Sequence, residues 1–334
     1  MELSFLLKEM RSAIETDLQT SLAPLQGEGV QAMGEMIAYH VGWSQPGSAG
    51  KRVRPILTLL CCAAVSGAWD NALPAASAIE WIHNFSLIHD DIQDHSATRR
   101  GRDTLWSREG VAQAINTGDA VFALARLTTQ RLTDLDVSSE TTLQVTNRLD
   151  HACLELTKGQ YLDIDFEIRE HVQVTEYMEM IAGKTAALLE AACSVGALIG
   201  NADPDLIAFY SEFGRNVGLA FQMFDDLLGI WGDTASTGKP AGDDLSSRKK
   251  TLPILYGIEK STTAKELWGS DLSNDDQLQA MIRALEESGA KTYGENQAEE
   301  FTQCALTALH QAQPLQPYGE ELENLALSLL RRMV

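Results

Sequence analysis

Ser86-Leu-Ile-His-Asp-Asp-Ile-Gln-Asp-His95 closes a stretch in which Ile79, Ile82, Phe85 and Ile88 recur at helical spacing. That spacing predicts a helix from about Leu73 into the aspartates. On a helix, residues four apart share a face, about 6 Å apart along the axis, so Asp90 and Asp94 project together. Two bare carboxylates about 4 Å apart repel by ~4 kcal/mol at an effective dielectric near 20. A cation therefore belongs with them, and clustered aspartates on a rigid element suit Mg²⁺ that bridges to phosphate oxygens. An isolated cluster of this kind reads equally well as a solvated acidic helix face. This one is not isolated, because a second acidic pair, Asp225-Asp226, follows far down the chain.

The remainder of the chain bounds what such a helix can serve. Its 334 residues are 44% hydrophobic, enough to build a large core. Strand-like alternation is scarce, while three-and-four apolar spacing runs through 118–132, 141–162, 175–199 and 205–228. The expected fold is all-α, and no fixed-period repeat suggests a solenoid. Lys+Arg number 26 against 47 Asp+Glu, a net charge of −21. A field of that sign argues against binding nucleic acid or anionic membranes non-specifically. Nine of the 26 cations fall in three short segments: Lys51, Arg52 and Arg54; Arg99, Arg100 and Arg102; and Arg248, Lys249 and Lys250. An acidic protein that gathers its cations this way is suited to a small anion.

Cys61, Cys62, Cys153, Cys193 and Cys304 show no metal-type spacing and lie in apolar helical stretches. They read as buried thiols in a reducing compartment. Met1–Met10 does not resemble a signal peptide, and no apolar run reads as the roughly 20 residues of a membrane span. The expected location is cytoplasmic. Residues 1–43 suggest one or two helices ending at the turn 44–50. Pro55 opens an apolar helix through about Ala68. Residues 95–106 and 232–242 read as loops, and 253–334 as shorter helices with polar turns near 262–275 and 313–318. No linker divides the chain, so one domain spanning 1–334 is expected.

Several motifs now stand in order: Gly50-Lys51-Arg52-Val53-Arg54-Pro55, the first aspartate cluster, Arg99-Arg100-Gly101, Gly159-Gln160 with Lys184-Thr185, and Phe221-Gln222 through Asp225-Asp226. Gly238-Lys239-Pro240 and Asp244-Leu245 then lead to Lys249-Lys250-Thr251-Leu252-Pro253. Each is weak alone. The ordered set resembles the trans-isoprenyl diphosphate synthases, or polyprenyl synthetases, from about residue 45 to 260. That resemblance implies an isoprenoid-synthase-type helical bundle around a central cavity and a homodimer. The implied activity is prenyl transfer, joining isopentenyl diphosphate head-to-tail to an allylic diphosphate (dimethylallyl, geranyl or farnesyl).

The same resemblance assigns roles. Asp90 and Asp94, supported by Asp91, would hold Mg²⁺ from one cavity wall and Asp225 with Asp226 from the other, with several ions per active site. Arg99, Lys184 and Lys239, with Gln222 and Thr185 nearby, would bind the allylic diphosphate. Lys51, Arg54, His83 and Arg100 would bind isopentenyl diphosphate. Arginine suits these tasks through its fork of donors and lysine as a point charge. Lys249 would ride a lid formed by 232–250. His89 and His95 are left as supporting residues, Arg52 and Arg102 as surface or interface residues, and Arg331 and Arg332 as solvated charge.

The second aspartate motif of the family usually reads DDxxD. Here it reads Asp225-Asp226-Leu227-Leu228-Gly229, and Asp243 or Asp244 are the candidates to supply the missing charge. Product length is expected to be set on the helix carrying Asp90, where each turn descends about 5.4 Å. Phe85, Ser86, Ile82 and Trp81 lie five, four, eight and nine residues before Asp90, and the pattern suggests the twenty-carbon geranylgeranyl diphosphate. Competing readings are a farnesyl or longer-chain synthase, a class I terpene cyclase, and a non-catalytic partner subunit.

Overall fold

Segments rich in Ala, Leu and Glu, with Pro near their starts, favour helix over strand. The computed structural model is helical almost throughout the residues it describes, 5–44, 50–232, 241–272 and 274–330. α1 (Phe5–Ser21), α2 (Gln31–His40), α3 (Val53–Ser66) and α4 (Leu73–Gln93) come first. A short hairpin, β1 (Thr98–Arg99) with β2 (Arg102–Asp103), precedes α5 (Leu105–Glu109), α6 (Val111–Gln130) and α7 (Ser139–Ile168). α8 (Val174–Ile181) passes through a π-helical turn (Ala182–Ala186) into α9 (Ala187–Ile199), and α10 (Pro204–Trp231) follows. The remaining helices are α11 (Asp243–Ser246), α12 (Leu252–Lys260), α13 (Thr262–Trp268), α14 (Asp275–Glu287), α15 (Ala290–Gln311) and α16 (Tyr318–Leu330).

The chain sorts into two compact units. The first comprises the chain up to Cys153, Ala191–Ile207 and Pro314–Gly319. Its α3 buries Ile56, Leu57, Leu59 and Leu60 on every side, as a helix apolar all round must. On α4, Trp81 is fully buried and donates from Nε1 to Ser21 Oγ at 2.8 Å, with its ring edge-on to Trp43. Trp81 is therefore turned toward α1 and packs as core, which removes it from the residues expected to limit product length. The second unit comprises Leu154–Glu190, Ala208–Gln313 and the chain from Glu320. One core cluster there gathers Phe166, Tyr177, Met180, Ile181, Leu219, Met223 and Leu252. Another gathers Ile230, Leu245, Ile254, Leu272, Met281 and Leu285.

Some expectations are corrected here. The polar stretch 262–275 contains α13, because Ser261 caps it by accepting from the Ala264 N–H at 3.2 Å. The loop 95–106 contains the hairpin. Four cysteines are buried but Cys304 is exposed. One helical run, Val174–Ile199, is long and apolar enough to cross a membrane, with a mean hydropathy of 1.3. The share of it buried within the protein is 78%, which is how a core helix behaves.

Candidate active site

In the first unit, the aspartates occupy the C-terminal end of α4. Asp94 caps the helix, and its N–H still donates to the Asp90 carbonyl at 2.9 Å, so the two stay on one turn. This end of a helix carries the negative pole of its dipole, where each carboxylate costs about 0.3–1 kcal/mol. Arg99 offsets part of that charge, with Nε 2.7 Å from Asp91 Oδ1 and Nη2 3.0 Å from Asp90 Oδ2. Asp91 is buried, and burial pushes its pKa up against the pull of Arg99. Asp94 is exposed and Asp90 half-buried. Carboxylate oxygens are the donors a hard divalent cation such as Mg²⁺ takes, although among the described residues no group of three acidic, histidine or cysteine side chains is placed to hold a metal ion by itself.

The hairpin explains how adjacent arginines serve different tasks. Its two turn residues, Arg100 (φ +52°) and Gly101 (φ +72°), both lie in the left-handed region, the geometry that matches the twist of a two-residue hairpin. Glycine adopts it freely, whereas an arginine there is strained. The turn sends Arg99 to the aspartates and Arg100 to Gly50, where a Cβ would lie 2.9 Å from Arg100 Nη1. Arg54 Nη1 is 3.4 Å from His83 Nε2, and Arg54 Nε is buried without a hydrogen-bond partner among the described residues. Burial, with Arg54, Arg100, Arg99 and His40 nearby, holds His83 well below the usual histidine range, so its imidazole is neutral at pH 7. Burial and the neighbouring Arg100 also press Arg54 below its ordinary value. Arg54 and Arg100, with the neutral His83 of α4 beside Arg54, thus form a crowded, partly desolvated cationic patch. An anion with several charges relieves that crowding.

Arg52 and Arg102, expected as surface or interface residues, belong to the scaffold of this patch. Arg52 is 2% exposed and adopts φ +54°. Its guanidinium donates to Glu80 at 2.7 Å, to Glu15 at 2.8 Å and to the Val41 carbonyl at 3.1 Å. Arg102 donates to the Tyr39 and His40 carbonyls at 2.7 and 3.3 Å, closing the C-terminus of α2. Both were missed because a cation in a charged motif reads as a ligand or a solvated group, and the buried Glu80 sits ten residues before Asp90 inside an apolar run. Phe85, half-buried, packs on Phe122 of α6 and on His89, with centroids 5.1 and 5.0 Å away. Ser86 Oγ donates to the His83 carbonyl at 2.8 Å, and Ile82 is buried.

In the second unit, the pair Gly159 and Gly183 accounts for two motifs at once. A Cβ on Gly159 would overlap the Lys184 backbone nitrogen, and one on Gly183 would overlap the Glu155 carbonyl oxygen. Only glycines let α7 lie this close to the π-helical turn, a form concentrated at functional sites. The turn presents Lys184 to Asp163 in an ion pair and Thr185 to Gln222, whose Oε1 accepts at 2.8 Å. Gln222 Nε2 in turn donates to Asp226 Oδ1 at 3.0 Å. Tyr177 Oη and the Leu252 N–H donate to the other oxygen of Asp226. Asp226 is 1% exposed, and burial raises its pKa despite these donors. Asp225, its neighbour, is exposed.

The cations at 248–250 separate. Arg248 donates to the Trp268 and Ser270 carbonyls, and Lys250 to those of Phe166 and Glu167, so both close helix ends. Lys249 sits among four carboxylates: against a desolvation cost, Asp226, Asp244, Asp163 and Asp225 raise its pKa and keep it charged. Asp163 and Tyr177 went unrecognised in the sequence. Asp163 could have been found, since it follows Gly159 by four residues and shares its helix face. Lys239, with the rest of 233–240 in the expected lid 232–250, lies outside the described residues, as do Arg331 and Arg332.

Comparison with known proteins agrees with the ordered motifs. The polyprenyl synthetase family model matches residues 34–287. A geranylgeranyl diphosphate synthase of Mycobacterium tuberculosis is 38% identical over 322 residues, covering 91% of this chain and 90% of that one. The structure of a polyprenyl synthetase from Streptomyces coelicolor A3(2) superposes with a TM-score of 0.88 at 34% identity, covering 98% of this chain and all of that one. A geranylgeranyl pyrophosphate synthase from Corynebacterium glutamicum, solved with isoprenyl diphosphate and magnesium, gives 0.83 at 26% identity, covering 99% of this chain and 100% of that one. The fold is the all-α isoprenoid synthase fold. The chain belongs to the polyprenyl synthetase family and is a prenyltransferase.

Proposed function

We propose that the protein condenses isopentenyl diphosphate with an allylic diphosphate in a Mg²⁺-dependent, head-to-tail reaction giving geranylgeranyl diphosphate. The observation that carries this reading is the hairpin turn at Arg100-Gly101. It assigns Arg99 to the aspartates and Arg100 to the Gly50 loop, so that one unit offers both a metal-binding end and a separate cationic patch. Two anion sites side by side suit two diphosphates, where a cyclase holds one.

In this reading Asp90 and Asp94 hold metal in the first unit and Asp225 in the second. Asp91, bound to Arg99, and Asp226, whose two oxygens already accept from Tyr177, Gln222 and Leu252, hold the geometry around them. When bound, several Mg²⁺ ions neutralise charge on the diphosphate oxygens and orient the leaving group. Arg99, Lys184 and Lys239, with Thr185, Gln222 and Lys249, stabilise the negative charge that develops as the allylic C–O bond breaks. Lys51, Arg54, His83 and Arg100 place isopentenyl diphosphate so that its π-bond attacks the allylic carbon. The new C–C bond leaves a cation, which loses a proton to the departed diphosphate. No protein nucleophile takes part. The chain works as one isoprenoid synthase domain, as a cytoplasmic homodimer; exposed Val111, Ile115 and Leu127 on α6 and Leu143 on α7 support the assembly.

The test supplies purified protein with Mg²⁺, isopentenyl diphosphate and labelled farnesyl diphosphate. A twenty-carbon product is expected. Product formed without isopentenyl diphosphate would instead mark a cyclase, and no turnover would mark a partner subunit. Loss of activity in Asp90→Ala then places the reaction at this chain's own aspartates.

A further inference from the structure

Gly229 follows Asp225 by four residues, so the two share one face of α10 about 6 Å apart along the axis. This is the position at which the motif lacks its third carboxylate. The space is not empty. A Cβ built on Gly229 would overlap the carboxylate of Asp244, with Asp244 Oδ1 2.9 Å away and Cγ and Oδ2 closer. A carboxylate therefore lies one turn beyond Asp225 on the same face, delivered from another segment of the chain.

The backbone that delivers it is fixed on both sides. The Gly242 N–H donates to the Ile230 carbonyl at 3.1 Å, tying the start of α11 to α10 beside Gly229. Gly242 adopts φ +80° as the N-cap of α11, a left-handed conformation that glycine takes freely. Leu245, next to Asp244, is fully buried with Ile230 and Ile254. The Lys249 N–H donates to the Asp244 carbonyl at 2.9 Å, which holds Lys249 in the same group of carboxylates.

We propose that Asp244 completes the second metal-binding motif from outside its helix, and that residue 229 is glycine to make room for it. The inference rests on the reading that Asp225 serves a metal–diphosphate site. It assigns Asp244 to that site and predicts that restoring an aspartate at 229 damages the site rather than repairing it. Two carboxylates cannot occupy the same volume, and their like charges oppose each other.

Isothermal titration of Mg²⁺ into the full-length protein with saturating inorganic diphosphate tests this directly. Asp244→Asn keeps the shape and removes the charge, and is expected to weaken Mg²⁺ binding by about 10–100-fold. Gly229→Asp is expected to weaken it as well, and so is Gly229→Ala, whose single added methyl displaces the Asp244 carboxylate while favouring helix. The exchange Gly229→Asp with Asp244→Gly should bind more tightly than either single variant. Unchanged binding in a folded Asp244→Asn protein, or tighter binding in Gly229→Asp, overturns the proposal. Asp225→Asn separates the two levels: if it also leaves Mg²⁺ binding unchanged, the reading of the site fails; if only Asp225→Asn weakens binding, the assignment of Asp244 fails alone.

Discussion

Phe85 of α4 and Phe122 of α6 pack ring against ring, their centroids 5.1 Å apart and their planes inclined by 48°. Both are only half-buried, so the pair is a wall with an open side and not a sealed core contact. Sequence alone pointed to Phe85, five residues before Asp90, and gave no reason to pair it with α6. If the growing chain ends against this wall, thinning it from either helix has the same result. Phe85→Ala and Phe122→Ala should each shift the product from twenty carbons toward longer chains, read by chromatography of the dephosphorylated alcohols. Unchanged lengths in both variants would return the two rings to simple packing.

Gly159 sits against the Lys184 backbone nitrogen, where there is no room for a methyl group. Gly159→Ala must push α7 away from the π-helical turn. Overpacking of this kind costs about 1–3 kcal/mol. The displaced turn carries both Lys184 and Thr185, so activity should fall more steeply than the melting temperature, measured side by side. A variant with full activity and an unshifted melt would show that the turn does not depend on this contact.

The fold was legible because apolar residues at helical spacing recur along the chain and a few distinct motifs stand in a fixed order. The site was legible only where a residue's type names its task. Asp90, Asp94 and Asp225 are acidic at helix faces, and Arg99 does meet the aspartates. Charge without context misled elsewhere. Of three consecutive cations at 248–250, two bind backbone carbonyls, and Lys249 sits among the carboxylates of Asp226, Asp244, Asp163 and Asp225. Arg52 lies between two motif residues yet is buried with two glutamates, Glu15 far upstream and Glu80 on α4. Such partners meet through tertiary contact, which spacing along one element does not reveal. The Asp244 carboxylate beside Gly229 is of the same kind.

Arg52 illustrates the energetic consequence. Its side chain is 1% exposed and its partner Glu80 6% exposed, so neither charge has water to fall back on. Arg52→Met leaves Glu80 buried without its main counter-charge, a change that costs about 3–5 kcal/mol. Arg52→Met combined with Glu80→Gln should recover a large part of that loss, since a neutral amide tolerates burial far better. Chemical denaturation of the two variants measures it. Equal stability of single and double variants would mean that Glu80 is not what Arg52 neutralises.

The exposed side chains on α6 and α7 carry the prediction of assembly. Leu127 is 50% exposed and Leu143 61%. In a two-fold dimer one substitution alters both copies of a contact. Light scattering should give twice the chain mass for the wild type, and Leu127→Asp should shift the population toward monomer. A wild type that scatters as a monomer at every concentration would discard the dimer.

His40, at the end of α2, is held down to about 3 by burial and by Arg99, Arg100, Arg102 and Arg52 around it. On the unfolded chain a histidine titrates near ~6.5. Above that pH both states are neutral, and His40 adds no pH dependence. Between about 6.5 and about 3 the unfolded chain takes up a proton that the folded protein refuses, so stability falls as the pH falls. The slope approaches about 1.4 kcal/mol per pH unit for one such group. His83, also held below its ordinary value, acts in the same direction. His40→Asn removes one of the two contributions. Between roughly pH 7.5 and pH 5.5, the wild-type denaturation midpoint should therefore drop further than that of His40→Asn. Parallel lines would mean that the folded protein already protonates His40, and that the four arginines do not hold it neutral.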